Sequence, residues 1–286
     1  MYDTIINVAL LHELIEGELP RAVVIDCRFR LNDPEEGKRL YNSGHIPHAH
    51  YAHLDDDLSG IIVLGSSGRH PLPKVEDLSK KLGQWGISNN SQVIVYDDMG
   101  GAIASRLWWM LKWLGHDSVA VLDGGYQAWV EAGLVISQIV PELAGDIIFE
   151  PKERKEMTVS VEEVEAISKG RRRGLLIDAR SQDRYRGEVE PIDPVAGHIP
   201  GAVNMPHFSH LDEKGYWKNP GTIAKNFMAL EGMELEKEMV CYCGSGVTAC
   251  FNALALSIAG VKNIKIYPGS WSHWITDSAR KIGKKN

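Results

Sequence analysis

The sequence LLIDAR at residues 175–180 repeats an earlier segment of the same chain, VVIDCR at residues 23–28. Three further pairs follow the same order: GHIP at 44–47 and 197–200, VIVYD at 93–97 and MVCYC at 239–243, and LDGGYQAW at 122–129 and YPGSWSHW at 267–274. The partners stay about 150 residues apart. Because solenoid repeats are much shorter, this period indicates a duplicated domain.

Each half alternates short β-branched runs with segments of helical spacing. This pattern predicts an α/β fold in each half, with a parallel sheet covered by helices on both faces. We expect an N-terminal domain at residues 1–140, a linker at 141–157 and a C-terminal domain at 158–286. The linker is predicted from Pro141, Gly145 and a charged run at 152–156. The apolar runs end in polar or glycine-rich turns, where open α/β sheets place their ligands.

The composition narrows the class of protein. The chain has 286 residues, of which 44% are hydrophobic, and a formal net charge of −7, so no nucleic-acid partner is expected. Four cysteines are too few for a disulfide scaffold of this length, which favours a reducing compartment. The N-terminus lacks the pattern of a signal peptide, and no apolar run is long enough for a membrane span. These features predict a cytoplasmic protein without a membrane partner.

Cys243 is the strongest candidate for a catalytic residue. It follows a predicted strand, and the glycine-rich turn at 244–248 leads from it into a helix-forming segment at 249–258. Backbone N–H groups at a helix N-terminus favour negative charge, so this position is suited to a thiolate nucleophile. The first half has Asp97 at the equivalent position. We therefore expect the first domain to be catalytically inactive and the second to carry the chemistry.

Other interpretations of the cysteine turn fit less well. A buried structural thiol suits Cys241, inside the strand, better than Cys243 beside glycines. A metal site using Cys241, Cys243 and Cys250 lacks a CxxC motif or a histidine pair. The GSGVTA run at 244–249 resembles a dinucleotide motif, but no acidic residue ends the next strand. A cysteine phosphatase needs an arginine where this chain has Ala249. Neither a metal nor a cofactor is expected.

Persulfide chemistry fits the turn best. The outer sulfur of a cysteine persulfide carries negative charge, which the backbone N–H groups of Gly244, Gly246, Val247 and Thr248 are placed to bind. Ser245 is suited to hydrogen-bond the reacting sulfur or to relay a proton to the leaving group. The hydroxyl of Thr248 is also a candidate to cap the helix or to donate to the turn.

Over essentially its whole length, the chain resembles the tandem-domain rhodanese-type sulfurtransferases. The resemblance rests on the paired Asp-x-Arg and GHIP motifs, on GRHPLP at 68–73, on SRLWW at 105–109 and on CGSGVT at 243–248. It implies two rhodanese-like domains, of which the first is inactive, and a persulfide carried by Cys243. The expected partners are a small anionic sulfur donor and an acceptor that is cyanide, a thiol or a thioredoxin-like protein.

Within this family, the turn is similar to that of 3-mercaptopyruvate sulfurtransferases. Members that prefer thiosulfate carry two basic residues after the cysteine, where this chain has Gly244 and Ser245. The resemblance further implies that Arg184 contacts the donor and that His70 is a proton-transfer partner of Ser245.

The chain departs from the family pattern at two positions. Asp193 stands where mercaptopyruvate enzymes often have a second arginine for the donor carboxylate, and His53 stands where many relatives have aspartate. A thiosulfate-specific sulfurtransferase is therefore the alternative enzyme. A non-enzymatic sulfur-relay or binding module is the alternative of another class.

Overall fold

The computed structural model describes residues 1–16, 20–145, 147–234 and 236–284 and divides the chain into two compact units. Unit 1 comprises Met1–Gly60, Leu72–Arg154 and Leu211–Trp217. Unit 2 comprises Ile61–Pro71, Lys155–His210 and Lys218–Asn286.

Unit 1 is built around a parallel sheet in the order β1-β5-β4-β2-β3. Its elements are β1 (Ile5–Ile6), α1 (Val8–Ile15), β2 (Ala22–Asp26), α2 (Glu36–Ser43), β3 (His50–Tyr51), α3 (Val75–Gln84), β4 (Gln92–Tyr96), α4 (Ala104–Trp113), β5 (Val119–Leu122) and α5 (Gly125–Glu131).

Both faces of this sheet are buried. Alternate strand residues such as Val24 and Ile94 pack with Leu11 of α1 and Trp129 of α5 in one apolar cluster. On the other face, Ile25 and Val95 are also fully buried, and α4 packs against β4 and β5. Burial on both faces explains why these strands are continuously apolar rather than alternating.

Unit 2 repeats the architecture with a parallel sheet in the order β7-β6-β8-β9. Its elements are α6 (Val161–Ser168), β6 (Leu175–Asp178), α7 (Gln182–Arg186), β7 (Val203–Asn204), α8 (Pro220–Met228), β8 (Met239–Tyr242), α9 (Thr248–Ile258), β9 (Ile264–Ile266) and α10 (Ser270–Trp274). The predicted pair of α/β domains with parallel sheets is confirmed. In the part of the chain that the structure describes, no helix is long and apolar enough to cross a membrane.

Two short segments group with the structural unit that is formed mainly by the other half of the sequence. Residues 61–71, from the first half, group with unit 2, and residues 211–217, from the second half, group with unit 1. Most of the predicted linker, up to Arg154, belongs to unit 1, and Asp146 within it lies outside the described residues. Residues 61–71 contain His70, which therefore groups with unit 2.

A buried ion pair explains why the Asp-x-Arg and GHIP motifs occur together in each half. In unit 1, Nη2 of Arg28 donates to the carboxylate of Asp26 at 2.6 Å and to the backbone oxygen of Gly44 at 2.8 Å. In unit 2, Nη2 of Arg180 donates to Asp178 at 2.6 Å and to the backbone oxygen of Gly197 at 2.7 Å. Each pair thus joins the end of a central strand to the glycine of its GHIP turn.

We predict that Arg28→Leu lowers the stability of unit 1 by roughly 3–5 kcal/mol, because it leaves the buried carboxylate of Asp26 without its partner. Burial already raises the pKa of Asp26, so the uncompensated charge is costly. Urea unfolding followed by tryptophan fluorescence measures the effect. The matched control is Arg39→Leu, which removes an exposed partner of Asp33 and should leave the midpoint nearly unchanged. Equal midpoints for the two variants would contradict this account.

Candidate active site

Cys243 is the first residue after β8 and lies in the turn that leads into α9. Its side chain is almost completely buried, with 2% of the residue exposed. The backbone N–H of Gly246 donates to Sγ of Cys243 at 3.1 Å. Because the turn runs directly into the N-terminus of α9, the sulfur lies where the helix dipole and free N–H groups favour negative charge. The geometry therefore suits a thiolate or a persulfide anion.

Gly246 is required for the shape of this turn. Its φ is +84°, in the left-handed region, and a Cβ at this position would lie 2.4 Å from the backbone oxygen of Pro268. Since the contacted atom belongs to the backbone, it has little freedom to move away. Both the torsion and the close approach therefore demand glycine, and they set the N–H of this residue against Cys243.

Ser270 supports the turn from the beginning of α10, and sequence reasoning missed it. Its Oγ accepts the backbone N–H of Cys243 at 3.1 Å and donates to the backbone oxygen of Tyr267 at 3.0 Å. Its φ of +53° is unusual for a residue with a side chain. The equivalent residue of unit 1 is Gly125, with a φ of +57°. The alignment of Ser270 with Gly125 in the two repeats is the sequence signal that could have indicated this role.

The equivalent turn of unit 1 holds a carboxylate in place of the thiol. The oxygens of Asp97 accept four backbone N–H groups at 2.7–2.8 Å, from Met99, Gly101, Ile103 and Ala104. Burial raises the pKa of this carboxyl, while the four donors oppose the rise. The comparison shows what such a turn does: its backbone donors converge on the side chain that follows the strand.

Ser245 and His70 form a buried polar pair beside Cys243. Nδ1 of His70 lies 2.7 Å from Oγ of Ser245, and the two residues are 4% and 6% exposed. The segment carrying His70 is held close to α10, because a Cβ on Gly68 would lie 2.3 Å from the backbone oxygen of Gly269. The structure thus brings together the serine and the histidine that the family resemblance paired.

Two guanidinium groups converge on Gly244. A Cβ at this glycine would lie 3.2 Å from Nη2 of Arg69 and 3.6 Å from Nη2 of Arg184. Arg184, on α7, is held by Glu190, which accepts from its Nη2 at 2.7 Å and from its Nε at 3.1 Å. Asp193 joins the two arginines, since it accepts from Arg69 at 2.6 Å and from Arg184 at 3.2 Å. Arg184 therefore lies beside the turn that follows Cys243.

Val247 and Thr248 complete the turn. Val247 is buried at the N-cap of α9, and Thr248 is the first residue of the helix. Because Val247 rather than Thr248 holds the N-cap position of α9, the expectation that the Thr248 side chain caps the helix is wrong.

The other cysteines differ from Cys243. Burial raises the thiol pKa of Cys27 and of Cys241, so neither is suited to react as a thiolate. The thiol of Cys250 donates to the backbone oxygen of Gly246 at 3.4 Å and so supports the turn. Over the described ranges, no group of three or more His, Cys, Asp or Glu residues is arranged to hold a metal ion.

His53 lies in unit 1 and has local partners there. Its Nε2 is 3.1 Å from the backbone oxygen of Pro34, its backbone N–H donates to Asp57 at 2.8 Å, and its ring meets Phe29 edge to face. These contacts give the residue a structural role in the packing of unit 1.

Comparison with known proteins identifies the family. The model of the rhodanese-like domain matches the chain twice, at residues 7–132 and 160–277. A probable 3-mercaptopyruvate sulfurtransferase of Pseudomonas aeruginosa is 46% identical over 92% of both chains. A putative thiosulfate sulfurtransferase of Mycobacterium tuberculosis is 36% identical over 99% of this chain and 97% of its own.

The same relationship is seen among solved structures. The 3-mercaptopyruvate sulfurtransferase SseA of Escherichia coli matches with a TM-score of 0.81 and 31% identity, covering 95% of this chain and all of its own. The chain belongs to the rhodanese family and contains two tandem rhodanese-like domains. The expected family is thus confirmed, and the relatives are named as sulfurtransferases with two different donors.

We predict that Gly246→Ala slows the reaction of Cys243 with a sulfur donor by about 100-fold, because the displaced turn no longer directs its N–H groups at the sulfur. Stopped-flow or quenched sulfur loading measures the rate. Gly260→Ala is the matched control: its φ is also positive, at +83°, but a Cβ there meets no heavy atom of the described residues within 4 Å. Loading that is equally slow, or equally fast, in both variants would contradict the role given to the turn.

Proposed function

We propose that this sulfurtransferase uses 3-mercaptopyruvate as its preferred donor and carries the transferred sulfur as a persulfide on Cys243. The observation that carries the proposal is the position of Cys243 Sγ, which accepts the N–H of Gly246 at the N-terminus of α9 and is followed by a glycine flanked by guanidinium groups. The site thus combines a stabilised sulfur anion with a place for a small carboxylate.

In the first half-reaction, the thiolate of Cys243 attacks the sulfur of the donor. A sulfur–sulfur bond forms, the carbon–sulfur bond of mercaptopyruvate breaks, and the electron pair leaves with carbon as the enolate of pyruvate. The enolate then takes up a proton and becomes pyruvate. The backbone N–H groups of residues 244–248 hold the negative charge of the outer sulfur, and Arg184 binds the anionic group of the donor.

We assign the proton transfer in this step to the pair of Ser245 and His70. The donor thiol loses a proton, and the enolate gains one, so a relay next to the sulfur balances the reaction. Ser245 follows Cys243 by two residues, and its hydroxyl already lies 2.7 Å from a ring nitrogen of His70. We assign the serine to the reacting sulfur and the histidine to the proton behind it.

In the second half-reaction, an acceptor attacks the outer sulfur, and the Cys243 thiolate is regenerated. Cyanide, a small thiol and a thioredoxin-like protein each supply a nucleophile that can bond to the outer sulfur while the Cys243 thiolate leaves. Two half-reactions that share one covalent intermediate predict ping-pong kinetics.

The four cysteines of the chain are all free, which is compatible with a reducing compartment, and we propose that the protein is cytoplasmic.

The residues after Cys243 favour mercaptopyruvate over thiosulfate. Gly244 and Ser245 supply no positive charge, whereas a dianion would be served by basic side chains at these positions. The alternative donor is thiosulfate, from which the same thiolate would release sulfite. It remains relevant because several relatives that match over most of their length are named for that donor.

Asp97 supports a non-catalytic role for the N-terminal domain at 1–140. Its carboxylate occupies the N–H groups of the equivalent turn, which leaves that turn without a nucleophile. We therefore assign catalysis to the domain at 158–286 together with the segment that contains His70.

The first prediction of this mechanism concerns the intermediate. Incubation with 3-mercaptopyruvate should add the mass of one sulfur atom to the intact protein, and peptide mapping should place it on Cys243. Cys243→Ser should gain nothing, whereas the matched control Cys27→Ala should gain the sulfur normally, because Cys27 is buried in unit 1. If the wild-type protein gains no sulfur from mercaptopyruvate or thiosulfate, the proposed enzyme activity is contradicted. The alternative, a relay module that receives its sulfur from another protein, is then favoured.

The second prediction concerns the proton relay. Ser245→Ala and His70→Asn should each lower kcat with mercaptopyruvate by about 100-fold, within the range of general acid–base catalysis. The double variant should lose no more than the worse single variant, because the two groups act as one unit. Transfer from preformed persulfide to cyanide should change little. Additive losses in the double variant would contradict a shared relay.

A further inference from the structure

The segment at residues 61–71, which we name the 61–71 loop, presents an apolar tip to solvent. The tip consists of Ile61, Ile62, Val63 and Leu64, which are all exposed, Ile61 to 84% and Leu64 to 94%. Adjoining apolar side chains left in water are typical of a surface that binds another molecule. The proposed reaction with small substrates makes no use of these four residues, so their exposure needs a separate explanation.

The tip is a formed turn. The backbone N–H groups of Ser66 and Ser67 donate to the backbone oxygen of Val63 at 3.1 and 3.0 Å, and the N–H of Val63 donates to Oγ of Ser67 at 2.9 Å. Gly65, inside this turn, has a φ of +79°, in the region that favours glycine. The apolar side chains are therefore carried by an ordered backbone, and a preformed surface loses less entropy when a partner binds.

The other end of the loop is fixed at the candidate active site. The backbone N–H of Arg69 donates to Oγ of Ser272 at 3.0 Å, and Nδ1 of His70 lies 2.7 Å from Oγ of Ser245. The apolar tip and the histidine of the proposed proton relay thus belong to one short segment of unit 2. A molecule that binds the tip is thereby brought close to Cys243.

The reach of the loop distinguishes a protein from a small acceptor. Leu64 and Arg69 are five positions apart, so their Cα atoms are at most about 18 Å from each other. Arg69 in turn lies against Gly244, the residue after Cys243. A small protein domain is roughly 30 Å across and can therefore contact the tip and the turn at once. Cyanide and small thiols are too small to do so.

The size of the tip favours a short-lived contact over a stable dimer. Stable interfaces contain roughly 20–30 residues from each partner, whereas the smallest interfaces belong to transient contacts such as those between redox proteins. Four adjoining aliphatic residues fall in the second class. A short-lived contact also suits an acceptor, which has to leave after each transfer of sulfur.

Resting on the proposed function, we propose that the apolar tip of the 61–71 loop is the docking surface for a protein acceptor of the thioredoxin-like type, with two thiols and apolar surface around them. The first thiolate of the acceptor bonds to the outer sulfur of the persulfide while the Cys243 thiolate leaves. The second thiol of the acceptor then attacks the inner sulfur of the new persulfide and closes a disulfide. The transferred sulfur leaves as hydrosulfide, which takes the proton of the second thiol.

The test measures transfer from a persulfide that is formed in advance with inorganic polysulfide, so that it does not depend on mercaptopyruvate. The acceptors are reduced thioredoxin, dithiothreitol and cyanide, and the products are hydrosulfide for the thiols and thiocyanate for cyanide. The variants are Leu64→Asp and Leu64→Met. The matched control is Ile139→Asp, which places the same charge at an aliphatic residue that is 80% exposed and lies in unit 1.

Leu64→Asp should lower kcat/KM for reduced thioredoxin by about 10-fold or more, because it removes an apolar contact and places a charge in the interface. Transfer to dithiothreitol and to cyanide should stay at the wild-type rate. Leu64→Met should keep most of the transfer to thioredoxin, since it preserves the apolar surface. Ile139→Asp should match the wild-type protein with all three acceptors.

Three outcomes would overturn the inference. The first is a Leu64→Asp variant that transfers sulfur to thioredoxin as fast as Ile139→Asp, or a wild-type persulfide that thioredoxin does not accept. The second is an equal loss with all three acceptors, which would assign the loop a role in the structure of the site only. The third is a wild-type dimer in sedimentation velocity that Leu64→Asp dissociates, which would assign the tip to a second copy of the chain.

Failure of the proposed function has a different signature. In that case the wild-type protein forms no persulfide from mercaptopyruvate, whereas the comparison of acceptors after loading with polysulfide still decides whether the tip binds a protein acceptor.

Discussion

The site depends on one constraint of the backbone, namely the tight turn that follows β4 in unit 1 and β8 in unit 2. This turn directs backbone N–H groups at the first side chain beyond the strand, four of them in unit 1 and that of Gly246 in unit 2. In unit 1 the acceptor is the carboxylate of Asp97, which takes four such hydrogen bonds. In unit 2 the acceptor is the sulfur of Cys243. The fold therefore supplies an anion site twice, and the residue placed there decides whether it can react.

The turn of unit 2 has surrounding contacts that differ from those of the equivalent turn in unit 1. Ser270 occupies the position of Gly125 and contributes a hydroxyl to the backbone of Cys243. The segment at 61–71 belongs to unit 2 and brings a histidine and an arginine to the turn. Neither feature belongs to the repeated scaffold itself. The scaffold forms the turn, and the additional segments supply the groups to which we assign proton transfer and acceptor docking.

The sequence predicted the fold, which is confirmed, and a candidate nucleophile, because both leave local signals. The repeated motifs revealed the duplicated domain, and alignment of Asp97 with Cys243 singled out the candidate thiol. Features that depend on long-range packing were missed. The association of residues 61–71 with unit 2 rests on contacts such as that of Gly68 with Gly269, about 200 residues away along the chain. The position of Arg69 beside Gly244 follows from that association, so motif spacing alone could not give it.

The most direct test of the central claim is a crystal structure of the protein after reaction with 3-mercaptopyruvate. The account predicts an additional sulfur bonded to Sγ of Cys243, within hydrogen-bond distance of the backbone N–H groups of residues 244–248. An outer sulfur that points away from the turn, or that is carried by Cys241 or Cys250, would contradict the claim that the turn exists to hold a persulfide.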